Sequence, residues 1–268
     1  MMDRGKHSLL GVRIDAVDYD SAVARIIESA QHGWRCTVGA LAVHGVMTGA
    51  TDLVHRYRLN GLDLAVPDGQ PVRWALNVLY GTKLQDRVYG PKLTVLICRE
   101  AAKTRIPVFF YGSVDEVVSK LAAKMIEQCP GLQVAGYQAS KFKKLTSAER
   151  QSLVERIMES GAKILFVGLG CPRQEVFAYE MGEHLSMPIL AVGAAFDYHS
   201  GILSEPPQFV QRAGLQWLYR LAQEPRRLWR RYLVLNSQFI VGFALQFLRL
   251  RVADPSNATR PSTEMHYG

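Results

Sequence analysis

Between Ile106 and Gly193 four short apolar runs, IPVFFYG, LQVAGYQ, AKILFVGLG and MPILAVG, alternate with three amphipathic stretches, VDEVVSKLAAKMIEQC, SAERQSLVERIMESG and QEVFAYEMGEHL. Runs this short and this rich in Val, Ile and Phe read as strands, and the longer stretches carry the spacing of helices. A strand apolar throughout, such as AKILFVGLG, is covered on both faces, which means a parallel sheet between two helical layers. Earlier residues repeat the theme less sharply: LLGVRI then SAVARIIESA, RCTVGAL then VHGVMTGATDLVHRYR, and LDLAV before a turn. The expectation is an α/β fold with a Rossmann-like, mainly parallel sheet and helices on both faces. Ligands in such folds sit beyond the carboxyl ends of the strands, so chemistry is sought at strand-to-loop junctions.

The pattern ends after SGILSEPPQFV, and three regions follow from it: a core over 1–205, a helical appendage over 206–252 and a mobile tail over 253–268. A helix is expected from about Pro207 to Ala222, with a second from about Arg226 to Arg251 starting after Glu224-Pro225, where proline suits a first turn. The chain's net charge of +8 is concentrated here, because residues 206–251 hold eight arginines and one acid, Glu224. Arg227, Arg231, Gln238, Gly242, Gln246 and Arg249 fall on one helical face, with Leu, Phe, Trp, Ile and Val filling much of the rest. A cationic face beside an apolar one favours a helix lying in an anionic bilayer interface. Packing on the protein's own core and a true span are the alternatives; Asn236, Ser237, Gln238 and Gln246 interrupt the span.

Several classes of chemistry drop out. Cys36, Cys98, Cys129 and Cys171 form no CxxC pair or zinc-ligand spacing and read as reduced cytosolic thiols. The opening MMDRGKHSLLGVRID has no apolar run of secretory length, so a cytoplasmic protein is expected. Asp18-Tyr19-Asp20 spells the metal-holding DxD pattern, but it directly precedes a helix, where aspartate is an ordinary cap. No HExxH, GxSxG or GKS/T motif is present. No metal or cofactor is expected.

The junctions that remain carry the candidates, each with a plain alternative. Asp68, in AVPDGQPVRW, follows an apolar run and opens a helix; it is either a turn residue or a general base whose pKa is lifted by burial. Arg87, in KLQDRVYGPKL, either pairs with neighbouring Asp86 or presents its fork of donors to a diphosphate. Gly112, in FFYGS, either makes a tight strand-to-helix turn or lets backbone amides approach a phosphate. FVGLGCPRQE brings Gln174 and Glu175 onto a first helical turn, and AVGAAFDYHSG brings Asp197 and His199. Glu175 suits a helix dipole, Asp197 a turn and a lone His199 a structural contact.

Taken in order, PDG, RVYG, FFYGS, GLGCPRQE, VGAAFDYHSG and GLQWLYRLAQEPRRLWRRYL resemble the WecG/TagA/CpsF family of bacterial glycosyltransferases over roughly residues 8–235. The resemblance implies transfer of a sugar from a UDP-sugar to a saccharide on a polyprenyl diphosphate, inverting and without metal, in exopolysaccharide or cell-surface glycan synthesis. It also implies a peripheral position at the inner face of the cell membrane, with a C-terminal appendage that helps form the site. Carried over by position, Asp68 becomes the base, with Arg87 and Thr37 in the same catalytic pocket. Gln174, Arg220, Arg227 and Arg230 become substrate-binding residues beside Gly112.

Two departures stand out against that resemblance. Many members follow the threonine with Pro-Asn or Leu-Asn and an acid, whereas Thr37 leads into Val38-Gly39-Ala40-Leu41 with His44 nearby. Gln216 stands where glutamate is common. A non-catalytic, nucleotide-binding, membrane-recruited partner is the alternative function. Nucleic-acid binding, suggested by Trp217, Tyr219, Trp229 and Tyr232 among the arginines, is disfavoured because the long apolar sequence that follows would be costly to expose in water.

Overall fold

A computed structural model describes residues 1–250 and 253–268, without the side chains of Arg227, Arg230 and Arg231. The chain opens with an antiparallel hairpin, β1 (Asp3–Leu9) and β2 (Val12–Val17), turned at Leu10-Gly11. LLGVRI therefore enters no parallel sheet; it turns back on itself instead. Buried Asp15 fastens the hairpin by accepting from Lys6 Nζ at 2.6 Å and from the Ala65 amide at 2.7 Å.

Helix α1 (Tyr19–His32) follows, and Asp18 caps it by accepting from the Ser21 amide at 2.9 Å, which is the ordinary reading of the DxD spelling. Next come β3 (Cys36–Leu41), α2 (Val43–Thr51), α3 (Leu53–Asn60), β4 (Leu64–Pro67), α4 (Gln70–Tyr80) and α5 (Gly90–Thr104). Asp52 breaks the expected single helix of VHGVMTGATDLVHRYR by accepting from the Val54 and His55 amides. The second half runs β5 (Val108–Gly112), α6 (Asp115–Gln128), β6 (Val134–Gln138), α7 (Ser147–Glu159), β7 (Ile164–Gly168), α8 (Arg173–Met181), β8 (Pro188–Ala191) and α9 (Ala195–Ser200).

Six strands form one parallel sheet in the order β4-β3-β8-β7-β5-β6. Side chains alternate across it. Phe110, Phe166 and Leu190 pack on one face against Ile26, Ile97 and Leu121, while Phe109, Tyr111, Leu165 and Val167 pack on the other against Leu153, Ile157 and Phe177. Burial on both faces explains why these strands are apolar at every position rather than at every second one. A third cluster joins the hairpin, α2 and α4 through Val12, Ile14, Val46, Val72 and Leu76.

The appendage departs from its expected helices. Its first part is split into α10 (Gln208–Arg212) and α11 (Gln216–Gln223) at Gly214, whose positive φ of 73° breaks the helix and whose missing side chain makes room for Trp74. α12 (Pro225–Phe247) starts on Pro225, as expected. It packs on the core as well as facing outward. Phe239 is buried with Leu9 and Leu41, Gly242 lies against Leu10, and the Gln246 side chain bonds the Leu10 amide and the Ser8 carbonyl, both at 2.9 Å. Gly242 and Gln246, expected on the cationic face, pack against the core, which was the alternative reading. Leu233, Val234, Ile240, Val241 and Phe247 remain exposed. No helix among the described residues is long and apolar enough to cross a membrane.

The segment 253–268, expected as a mobile tail, is a strap. Its backbone carbonyls at Pro255 and Asn257 accept from Asn60 and Arg56, and the Thr259 amide donates to the Leu53 carbonyl at 3.0 Å. Further on, the Met265 and His266 amides donate to the buried Glu180 carboxylate at 2.8 and 3.1 Å, Arg150 grips Glu264, and Tyr267 bridges Lys144. Polar composition pointed to a loose end; long-range backbone pairing, invisible to composition, holds it down.

Candidate active site

A cavity of about 520 Å³ opens at the carboxyl ends of the strands. Its walls come from Ala40 near the end of β3 and Ala42 just after it, Asp68 after β4, Ser113 after β5, Gly168–Cys171 at the end of β7 and in the loop that follows, and Val192–Ala194 after β8. The appendage closes it with Gln216, Trp217 and Arg220 of α11 and Tyr232, Asn236 and Phe239 of α12. Core and appendage thus share one hollow, of a size that suits a small-molecule ligand.

Asp68 sits where β4 ends. Its amide donates to the Leu41 carbonyl at 3.1 Å, and its Oδ1 accepts from the Gly90 amide, at the start of α5, at 2.9 Å. Burial raises its pKa above the ordinary value, opposed by the Arg87 and Arg220 guanidinium groups and by the Gly90 N–H. A carboxylate so placed is a stronger base than one in water and is still held near two cations. The turn and base readings are compatible, since one side chain does both.

Arg87 is 6% exposed, so it is not a surface partner of Asp86. Its Nη1 donates to Gln216 Oε1 at 2.6 Å and its Nη2 to Gln211 Oε1 at 3.0 Å, while the guanidinium lies 4.2 Å from the Tyr89 ring centre. Arg220 also lines the cavity, near the Tyr198 ring and 3.5 Å from Glu224. Burial pushes the Tyr89 and Tyr198 phenols up, which keeps both neutral.

Gln174 lines the cavity from the first turn of α8; its Oε1 accepts from the Gly170 amide at 3.1 Å, and its Nε2 donates to buried Glu175 at 2.9 Å. Asp197 reaches the cavity as well. The His199 ring bonds the Pro91 carbonyl at 2.9 Å, the structural contact expected of it.

Two expected site residues are elsewhere. Thr37 is at the amino end of β3, away from the cavity, buried, with its hydroxyl donating to Asp63 at 2.9 Å. The residues of β3 and its exit loop that reach the hollow are Ala40 and Ala42, so the assigned register falls three residues early. Gly112 is buried in β5 at φ 125°, and a Cβ there would meet the Gly168 backbone oxygen at 2.6 Å. It serves strand packing, and Ser113 is the residue that faces the cavity. The expectations for Arg227 and Arg230 fall on side chains outside those described. Among the described residues, no group of three or more His, Cys, Asp or Glu could hold a metal ion.

Tyr89, Tyr198 and Gln211 were missed. The first two follow the motif residues Arg87 and Asp197 directly or nearly so, a usable signal; Gln211 carries none, since only the fold of the appendage brings it to Arg87.

Residues 7–253 match the Glycosyl transferase WecG/TagA/CpsF family. A relative from Bacillus spizizenii, N-acetylglucosaminyldiphosphoundecaprenol N-acetyl-beta-D-mannosaminyltransferase, is 33% identical over 177 residues, covering 65% of this chain and 66% of the relative. The match thus spans just under two thirds of that relative's length.

Proposed function

Because the chain belongs to the WecG/TagA/CpsF family of glycosyl transferases, we propose that it moves a sugar from a UDP-sugar to a saccharide carried on a polyprenyl diphosphate, in cell-surface glycan synthesis. The observation that carries this reading is the placement of Asp68, Arg87 and Arg220 around one cavity at the carboxyl ends of the sheet. The named acceptor of the relative supports a polyprenyl-linked substrate.

The chemistry follows from the charges. In a single in-line displacement the sugar gains oxocarbenium character as the diphosphate departs with negative charge. Asp68 takes the proton from the acceptor hydroxyl, which lets that oxygen attack the anomeric carbon as the bond to the diphosphate breaks. One displacement inverts the anomeric centre. Arg87 and Arg220 stabilise the leaving diphosphate without calling on a metal, where one well-aimed donor is worth about 3 kcal/mol. Gln174, fixed by Gly170 and Glu175, contributes a wall for the donor.

Peripheral attachment at the inner face of the cell membrane completes the proposal. The exposed Leu233, Val234, Ile240 and Val241 of α12, in an appendage rich in arginine, support it. A lipid-carried acceptor then meets the cavity where α12 lines it.

Asp68→Asn tests the mechanism. Transfer from a UDP-sugar to a polyprenyl-diphosphate-linked acceptor is expected to fall at least about 100-fold, the lower end of what a general base contributes. UDP affinity measured by calorimetry should stay near wild type. Unaltered transfer would remove Asp68 as the base, and a wild type that binds UDP without turnover would favour the non-catalytic partner instead.

A further inference from the structure

We propose that Gln211 and Gln216 are positioning residues: their two side-chain amides, both from the appendage, aim the Arg87 guanidinium into the cavity while leaving its charge intact. This rests on the reading of the cavity as a diphosphate site. Arg87 belongs to the loop between α4 and α5, whereas Gln211 is on α10 and Gln216 on α11. The sites meet only across the fold, 124 and 129 residues apart in sequence.

Each amide is held at both ends. Gln216 Nε2 donates to the Tyr89 hydroxyl at 2.6 Å, and Gln211 Nε2 donates to the Pro206 carbonyl at 2.9 Å. The Pro206 carbonyl only accepts and the guanidinium only donates, so both amide oxygens face Arg87, one on each terminal nitrogen, and the Tyr89 hydroxyl accepts from Gln216. The Tyr89 ring supports the guanidinium from one side, and the Tyr89 amide donates to the Tyr19 hydroxyl at 2.9 Å, so the support is itself anchored.

Guanidinium offers five N–H donors. Two are spent on amide oxygens, and three remain for an anion. The choice of a neutral acceptor matters because Arg87 is almost wholly buried. A carboxylate there would offset part of the guanidinium charge, in surroundings where the attraction is weakly screened. An amide orients without cancelling. The same contacts make the arginine's aim depend on the appendage being seated, so the core alone holds Arg87 without its guides.

The test is the affinity of the full chain for UDP and for inorganic pyrophosphate, with folding checked by thermal melting. Gln211→Ala/Gln216→Ala is expected to weaken both by about tenfold, the worth of hydrogen bonds to a charged group. In an Arg87→Ala background the same pair of changes should have no further effect, because the glutamines act through that arginine. A folded double variant that binds both probes like wild type would overturn the proposal, as would an equal loss with and without Arg87. Wild-type protein that binds neither probe would overturn the diphosphate reading and this one with it, whereas binding pyrophosphate but not UDP would overturn only the nucleotide part of the functional reading.

Discussion

At the scale of single residues, the cavity sets one carboxylate against two fixed positive charges. Burial raises the Asp68 pKa, and Arg87 and Arg220 pull it back. Activity that needs the carboxylate therefore falls as pH drops through this raised pKa. Removing Arg87 takes away one opposing charge, so the acid limb of kcat/KM against pH in the residual activity of Arg87→Ala should move to higher pH; a limb that stays put or moves down would contradict the pairing. Gly112 makes a different kind of statement. A methyl there meets backbone, which cannot turn aside, at a φ that L residues avoid. Gly112→Ala should cost about 2 kcal/mol or more in denaturant unfolding. The sequence showed that a glycine ended this strand but not whether a ligand or a neighbouring strand required it, because both demand the same missing side chain.

At the scale of elements, the strap is tied by a carboxylate of α8 rather than by apolar burial. Glu180 is 4% exposed, accepts two strap amides and lies 3.6 Å from Arg58, itself buried in α3. Glu180→Ala leaves that guanidinium without its counter-ion and two amides without their acceptor, so a loss of about 3 kcal/mol is expected. Limited proteolysis should then cut within 253–268 faster than in wild type; equal rates would show that the strap holds without Glu180. The hairpin and the strap are the elements that sequence periodicity misjudged, and for one reason. LLGVRI has strand composition, and DPSNATRPSTEMHYG has loop composition, but neither says which backbone each will pair with. The helix broken at Gly214 is a milder case, where a conformational preference outweighed an amphipathic pattern that ran on through it.

At the scale of the whole molecule, the appendage has two jobs at once: its inner face completes the cavity, and its outer side leaves Leu233, Val234, Val241 and Phe247 in the open. An exposed apolar stripe in the most arginine-rich part of a chain of net charge +8 is expected to seek an anionic bilayer. Leu233→Asp/Val241→Asp should reduce co-sedimentation with phosphatidylglycerol-containing vesicles and leave UDP affinity unchanged; undiminished sedimentation would move the membrane contact elsewhere. The sequence by itself determined the layered α/β architecture, the strand ends where the cavity opens and the place of Asp68, because alternation of apolar and amphipathic runs and a Pro-Asp-Gly turn are local free-energy choices. Only the tertiary structure decided that Ala40 and Ala42 rather than Thr37 face the cavity, that Gln211 and Gln216 hold Arg87, and that the last residues bind down as a strap. Those outcomes depend on strand register and on contacts between segments more than a hundred residues apart, whose energies exist only once the chain has closed on itself.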